Sequence, residues 1–349
     1  MKQRPADRQP APARKTPGDA RPVLVVGASG QLGTRVVRRL LALGRPVRAF
    51  VRHTARFEHL KHPRVQIVHG DLADAASVRA ACSGAGAVVA TANAAAPTHG
   101  GSFASVDVGG YAALIEACRQ QGCGRLVFAS VAVTPWDARL PLFRHKRQTE
   151  QRLRDSGHPF AVLQFAPFMD DWFALAGSAL AARGDPAALV DRPWPFLQRY
   201  MGVVGGLVEK RGLALVPGGG AQVLDFLAVD DAAAALAAAT DHPAAANTTL
   251  PLGGPENLSW QAVAALLSQV LARPVQVVGT PAWLFALQQR LMQPFSEAAA
   301  NIMALNWLLA QPLPPQGTAT AGLLGLRLLR AEDFLRGQAA LPPRAEERR

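Results

Sequence analysis

No stretch of this 349-residue chain holds the roughly 18 consecutive apolar residues of a membrane-spanning helix, and its N-terminus lacks the apolar core of a secretory signal. A cytoplasmic location is the resulting expectation. Cysteine is scarce. Neither the number nor the spacing of Cys82, Cys118 and Cys123 describes a disulfide framework or a zinc finger, so they read as packing residues in a reducing compartment and no metal is expected. Acidic residues are outnumbered 25 to 37, giving a formal net charge of +12. That excess raises the question of nucleic acid, yet it is spread along the chain rather than gathered on one reading helix, so specific nucleic-acid recognition is not expected. Its densest patches are the ends. Residues 1–20, rich in Pro, Ala, Lys and Arg without apolar pattern, read as a disordered basic tail, and 341–349 read as frayed. A solubilising extension explains the first of these more simply than a contact with lipid or nucleic acid.

What remains is a globular chain, 49% hydrophobic and 18% charged, long enough for one large domain or two. Its organising stretch runs from Arg21 to Phe50 as strand, glycine turn and helix. Val23 to Val26 is apolar without alternation, as expected of a parallel strand buried on both faces. Gly27, Gly30 and Gly33 follow at GxxGxxG spacing, and Leu32, Val36, Val37, Leu40 and Leu41 then recur at helical intervals with Arg35, Arg38 and Arg39 expected on the outer face. Strand before and helix after make this a dinucleotide site in outline: a tight turn lets backbone approach a pyrophosphate, and the amides of the helix start supply donors. Gly27, Ser29, Gly30, Gln31, Leu32 and Gly33 are the residues of that turn.

The second strand ends at Arg52. An acidic residue there would bind a ribose diol, whereas a cation suits a 2′-phosphate, so Arg52 favours NADP(H), with NAD(H) as the alternative. The third strand ends in Gly70-Asp71-Leu72 and the fourth in Ala92-Asn93-Ala94, both at the carboxyl edge where open α/β sheets bind ligands; Asp71 can accept from an adenine amino group, and the small residues after the fourth strand leave room for cofactor. A helix over 107–121, a fifth strand ending at Ser130, a polar helix from Leu142 to Ser156 and a sixth strand from Phe160 to Phe165 continue the alternation. The pattern predicts a doubly wound parallel sheet.

These residues also carry a family. The turn GASGQLG, the GDL after the third strand, RLVFAS, the helix LFRHKRQTEQRLRDSG, the strand before PFMD, then DFLAVDDAAAALAAAT and LPLGGPENLSWQAVAALLSQVL resemble the atypical short-chain dehydrogenase/reductases in their NmrA-like branch, over most of residues 22–275. LPLFRHKRQTE and PLGGPE are similar to the subgroup of photosystem II assembly factors. The resemblance implies a Rossmann domain over 21–175 and a small, mostly helical substrate cap over 176–340, with 223–252 returning to the core. It also implies that Lys146 corresponds to the active-site lysine that holds the nicotinamide ribose, and that Ser130 stands near the catalytic hydroxyl. The family tyrosine is replaced by Leu142, and the family Arg-Pro after the sixth strand by Gln164-Phe165, which places Phe165 beside the nicotinamide pocket. From the residues alone Lys146 would be a surface charge; as a proton donor its pKa would have to be lowered by burial or by Arg144 and Arg147.

The second half is less legible. From Asp170 to about Lys210 the chain carries more residues than the family usually places there, with 177–210 a candidate protein-partner surface; 195–208 carry an apolar stripe with three glycines, which fits a substrate lid, a protein partner's docking helix or a membrane-surface contact, though a helix packed over the sheet is simpler. A strand is expected over 223–228, with Asp230 capping the helix after it, then two apolar helices over 282–292 and 295–310 and a closing helix over 323–335. Two functional readings follow. One is an NADP(H)-dependent oxidoreductase acting on a small apolar carbonyl, enone or quinone-like molecule. The other is a non-catalytic redox sensor or complex-assembly factor that binds the same cofactor, and a DNA-binding regulator ranks behind both.

Overall fold

The computed structural model describes residues 21–53, 57–92 and 108–342. The basic tail over 1–20, Asn93 and residues 343–349 lie outside the described residues.

The first half alternates strand and helix: β1 (Val23–Val26), α1 (Gln31–Ala42), β2 (Val47–Val51), β3 (Val65–His69), α2 (Ala75–Cys82), β4 (Ala87–Ala90), α3 (Tyr111–Gln120), β5 (Leu126–Val131), α4 (Pro141–Asp155) and β6 (Phe160–Phe165). The second half is irregular. It contains α5 (Met169–Leu175), α6 (Pro195–Val204), α7 (Leu207–Arg211), β7 (Leu213–Pro217), β8 (Val223–Leu224), α8 (Val229–Ala238), β9 (Thr248–Leu252), β10 (Leu258–Ser259), α9 (Trp260–Leu271), β11 (Gln276–Thr280), α10 (Ala282–Met292), α11 (Glu297–Leu309), α12 (Ala319–Leu323) and α13 (Ala331–Ala339).

Seven strands form one sheet in the order β3-β2-β1-β4-β5-β6-β9, and every neighbouring pair is parallel. The doubly wound prediction is therefore met, with the order reversing at β1 and β4, the crevice where such sheets bind ligands. The strand period of two decides which face each residue joins. Val23 and Val25 pack under α1 and α8, while Leu24 and Val26 pack under α2 and α3, and all four are buried. A strand so enclosed needs apolar residues at every position, which is the pattern VLVV.

A separate core joins α5, β7, α9 and α13 around Phe173, Phe226 and Trp260, whose rings meet edge to face. Two-stranded pairings of β7 with β11 and β8 with β10 flank it.

Local expectations fail where packing overrides pattern. The strand over 223–228 shortens to β8, with Leu227 keeping only an isolated bridge to Phe168. The helix over 195–208 divides into α6 and α7 at Gly205–Gly206, where Gly206 takes φ 74°. The closing helix becomes α12 and α13, separated by residues 324–330. Asp230 is not a cap. The N-cap of α8 is Ala228, and Asp230 turns to Arg35 instead, with Nε 3.0 Å from Oδ1.

Candidate functional site

The glycine turn is shaped by close approach. Gly27 leaves β1 at φ 84°, and a Cβ there would stand 2.7 Å from the Ala92 backbone nitrogen; one at Gly33 would stand 2.1 Å from the Gly27 carbonyl oxygen. Only glycine fits either position, so the end of β4 and the first turn of α1 close directly on the end of β1. Gly30 donates to the Gly27 carbonyl (2.9 Å) and starts α1 with no side-chain cap and no acidic residue in the first turn. The amides of Gln31, Leu32 and Gly33 therefore face outward without intrahelical partners. This arrangement fits a dinucleotide pyrophosphate, which needs backbone donors and no competing carboxylate.

On the Ser29 side the turn meets two arginines. Arg52 stands just past β2, and Arg192 arrives from the 177–210 segment with Nη2 3.4 Å from the Ser29 carbonyl. Burial, then the nearby charge of Arg52, lower the Arg192 pKa, so the two cations share one neighbourhood. His53 stacks on His69 with ring centroids 4.7 Å apart, which places a flat aromatic pair at the carboxyl ends of β2 and β3. Nothing in the sequence pattern marked Arg192, because it lies 140 residues beyond Arg52 and only the fold joins them.

Below the turn lies a network that the sequence misassigned. Arg35, expected on the outer face of α1, is buried and reaches Asp170 (2.8 Å), Asp185 (2.7 Å) and Asp230 (3.0 Å). Periodicity alone put it outside; the 177–210 segment covers that face and supplies Asp185 as a partner. Burial alone would lower the Arg35 pKa, but the three carboxylates outweigh it and raise the value. Carboxylates still outnumber the cations here. Burial pushes Asp170 up to about 6 despite Arg35 and a hydrogen bond from the Val229 amide. Asp171 is pushed up to about 7 by burial and then by Asp170, and Gln31 of the glycine turn offsets this only in part.

Asp71 and Leu72 follow β3. The Asp71 carboxylate accepts from the Ala73 amide (2.9 Å), which organises the turn into α2, while the Leu72 side chain is buried in the core against Gly110. Ala92 meets Gly27, as above, and accepts from the Tyr111 hydroxyl at 2.5 Å.

The other end of the sheet edge is built on α4. Pro141 opens that helix at its first position. Lys146 is 4% exposed; its Nζ donates to the Ala129 carbonyl (2.9 Å) and lies 4.6 Å from the Phe128 ring centroid and 5.9 Å from that of Tyr111. The lysine is thus not a surface charge. One turn on, Glu150 is 1% exposed and gathers donors from four residues: Ser130 (2.5 Å), both oxygens from Gln164 (3.1 and 3.0 Å), Arg154 (3.2 Å), and Arg147. Arg147 also pairs with Asp137 at 2.8 Å. Glu150 was not singled out in the sequence, and a buried acid on a basic helix is a signal that charge counting hides.

Leu142, at the place of the family tyrosine, is buried among Leu140, Phe143, Ala304 and Leu308, so α11 covers the position where a hydroxyl would stand. Phe165 is buried at the end of β6, its ring 5.8 Å from that of Phe168. The structure therefore brings Lys146, Ser130 and Gln164 to one end of the crevice and the glycine turn with Arg52 to the other. Asn93 lies outside the described residues, and Asp71 and Leu72 stand at the edge.

Residues 27–187 match the family model described as NAD(P)H-binding. Photosystem II assembly factor Ycf39 of Cyanophora paradoxa is 31% identical over 146 residues, which cover 42% of this chain and 45% of that protein, so the match spans less than half of either. NAD(P)H azoreductase of Xenophilus azovorans is 27% identical over 73% of this chain and 76% of its own length. The solved structure of NADPH-dependent quinone oxidoreductase QOR2 of Escherichia coli, complexed with NADPH, superposes with a TM-score of 0.66 at 19% identity and covers 90% of this chain and 99% of its own; it shares the fold. The glycine turn and the seven-stranded sheet thus lie within a segment that matches the NAD(P)H-binding family model, and the chain shares the fold of an NADPH-dependent quinone oxidoreductase.

Proposed function

We propose that this protein is an NADPH-dependent reductase that delivers hydride to a small, largely apolar carbonyl, enone or quinone-like acceptor. The observation that carries the reading is Lys146. An ammonium 4% exposed, fixed on a carbonyl at the carboxyl end of β5, shares a sheet edge with the glycine turn. Burying a charge costs free energy, and a basic helix has open solvent available for its lysines, so a functional constraint is the simplest reason for this one to be inside.

In this reading bound NADPH supplies the hydride. The backbone of Gly27 to Gly33 holds the pyrophosphate, Arg52 and Arg192 hold the 2′-phosphate, and Lys146 orients the nicotinamide ribose. Phe165 and Phe168 offer apolar surface beside it. Ser130 donates to Glu150 and stands beside Lys146 as a positioning group. The azoreductase and quinone oxidoreductase among the similar proteins support this reaction class.

A second reading rests on Leu142. With that position packed under α11 and the Ser130 hydroxyl bonded to Glu150, tyrosine-type proton donation has no place here, and a cofactor-binding sensor or assembly factor needs none. The 177–210 segment would be its partner surface, and the assembly factors among the relatives favour it.

One experiment separates the two. Purified protein is titrated with NADPH and screened for NADPH oxidation against quinones and enones. Turnover that falls in Lys146→Ala at least tenfold more in kcat than in cofactor affinity supports the reductase. Tight binding with no turnover above background sinks it and leaves the sensor.

A further inference from the structure

At the edge of the sheet opposite the cofactor crevice, three cysteines that the sequence keeps apart come together. Cys82 ends α2, Cys118 lies in the last turn of α3, and Cys123 follows in the loop before β5. All three are free and buried, and their sulfurs lie within 4.8 Å of one another. The spacing C-x35-C-x4-C has no metal-site signature, so they read in sequence as packing residues.

A fourth group points the same way. His158, 7% exposed in the turn before β6, has a buried Nε2 with no hydrogen-bond partner, while its ring also bonds to the Gly124 backbone. That backbone bond fixes the ring and its tautomer, the arrangement in which the other nitrogen serves as a ligand. The ring nitrogens of His158 are not among the ligand atoms that lie within 4.8 Å of one another, so the imidazole has to swing toward the three sulfurs to join them. An orphaned imidazole nitrogen in an apolar core is costly, and three packing thiols do nothing to relieve it.

We propose that Cys82, Cys118, Cys123 and His158 form a structural Zn²⁺ site. Three thiolates and one imidazole are a closed tetrahedral zinc set, with no open position for substrate. With Zn–S near ~2.3 Å, a tetrahedron has S···S edges of about 3.8 Å; the sulfurs need to draw in by about an ångström from their 4.8 Å envelope. Charge is also provided for. Three thiolates and a dication leave one net negative charge, and two guanidinium groups flank the site: Arg21 donates to the Ala85 and Gly122 carbonyls, and Arg48 to those of Ala81 and Ser83. The ion ties the ends of α2 and α3 to the starts of β5 and β6, on the edge where ligands of the sheet do not bind. Its role is to fasten the fold.

The test uses the full chain, purified under reducing conditions and stripped with a chelator. Co²⁺ is added and then displaced by Zn²⁺, and zinc content is measured on the untreated protein. The expected result is one ion per chain, with the thiolate-to-cobalt charge-transfer band and the visible absorption of a tetrahedral centre, and a thermal midpoint that rises with zinc. Cys118→Ala abolishes both signals, and His158→Gln weakens zinc binding at least tenfold, while NADPH titration stays unchanged in the two variants. Should Cys118→Ala not fold, Cys123→Ser at the rim of the cluster makes the same comparison. Wild-type protein that retains no zinc and shows no thermal shift in excess zinc overturns the proposal, as does binding that survives both cysteine substitutions.

Discussion

The glycine turn and the α4 cluster occupy the same sheet edge but work with different material. The turn offers backbone: Gly27, Gly30 and Gly33 bring main chain within reach of a ligand, and the α1 amides need no side chain to act. The α4 cluster offers side chains already committed to one another, with Glu150 drawing in Ser130, Gln164, Arg147 and Arg154, and Lys146 fixed on Ala129. The first arrangement is open and generic, able to hold any dinucleotide. The second is closed and particular, its polar groups paired with one another rather than left open to a ligand.

The contrast can be broken most directly at Gly33. In Gly33→Val the new side chain would begin 2.1 Å from the Gly27 oxygen, so NADPH binding should be lost and stability should fall by more than ~3 kcal/mol, read by cofactor titration and chemical unfolding. Wild-type affinity in this variant would show that the turn is not the rigid element described. At the other end, Glu150→Leu leaves the Arg147 guanidinium and the Ser130 and Gln164 donors without their shared acceptor. The expected cost is about 3–5 kcal/mol of stability, with NADPH affinity little changed in the fraction that folds. Equal losses of binding at both positions would mean that the two ends are one unit.

Smaller effects sharpen the picture. Arg52→Ala and Arg192→Ala should each weaken NADPH binding by roughly 10- to 100-fold and leave NADH nearly untouched, as expected for charge-assisted contacts to a phosphate. If Arg192→Ala weakens both cofactors equally, its role is to hold the turn through Ser29. The smallest effect concerns pH. Asp171 has a folded pKa raised to about 7, above its unfolded value, so the folded state holds a proton that the unfolded state has released. Its contribution to stability is present below the unfolded pKa and is lost as pH rises toward 7. Asp171→Asn, which mimics the protonated acid, should therefore unfold at higher temperature than wild type at pH 8, by about 1–2 kcal/mol, with little difference at pH 4. A pH-independent difference would remove the carboxyl from this account.

The parts of the fold that could be read in advance are those where local pattern and final environment agree. VLVV needs burial on both faces and has it; the glycine spacing needs a strand before and a helix after and has both. Prediction went astray where a partner distant in sequence changed a residue's surroundings. Arg35 sits at a helical position that faces outward until the 177–210 segment covers it. Asp230 lies two residues past the N-cap Ala228, and its carboxylate pairs with Arg35 instead. Lys146 was legible only through family resemblance, because a lysine among arginines gives no local sign of burial.

By itself, then, the order of residues determined the parallel sheet, the dinucleotide turn and the cation after β2, since each follows from hydrophobic period, backbone freedom or charge within about thirty residues. Tertiary structure decided which charges are buried. It set Arg192 beside Arg52, Glu150 beneath Ser130, and three separated cysteines beside one another. Those meetings depend on loop closures across scores of residues, and no local period encodes them.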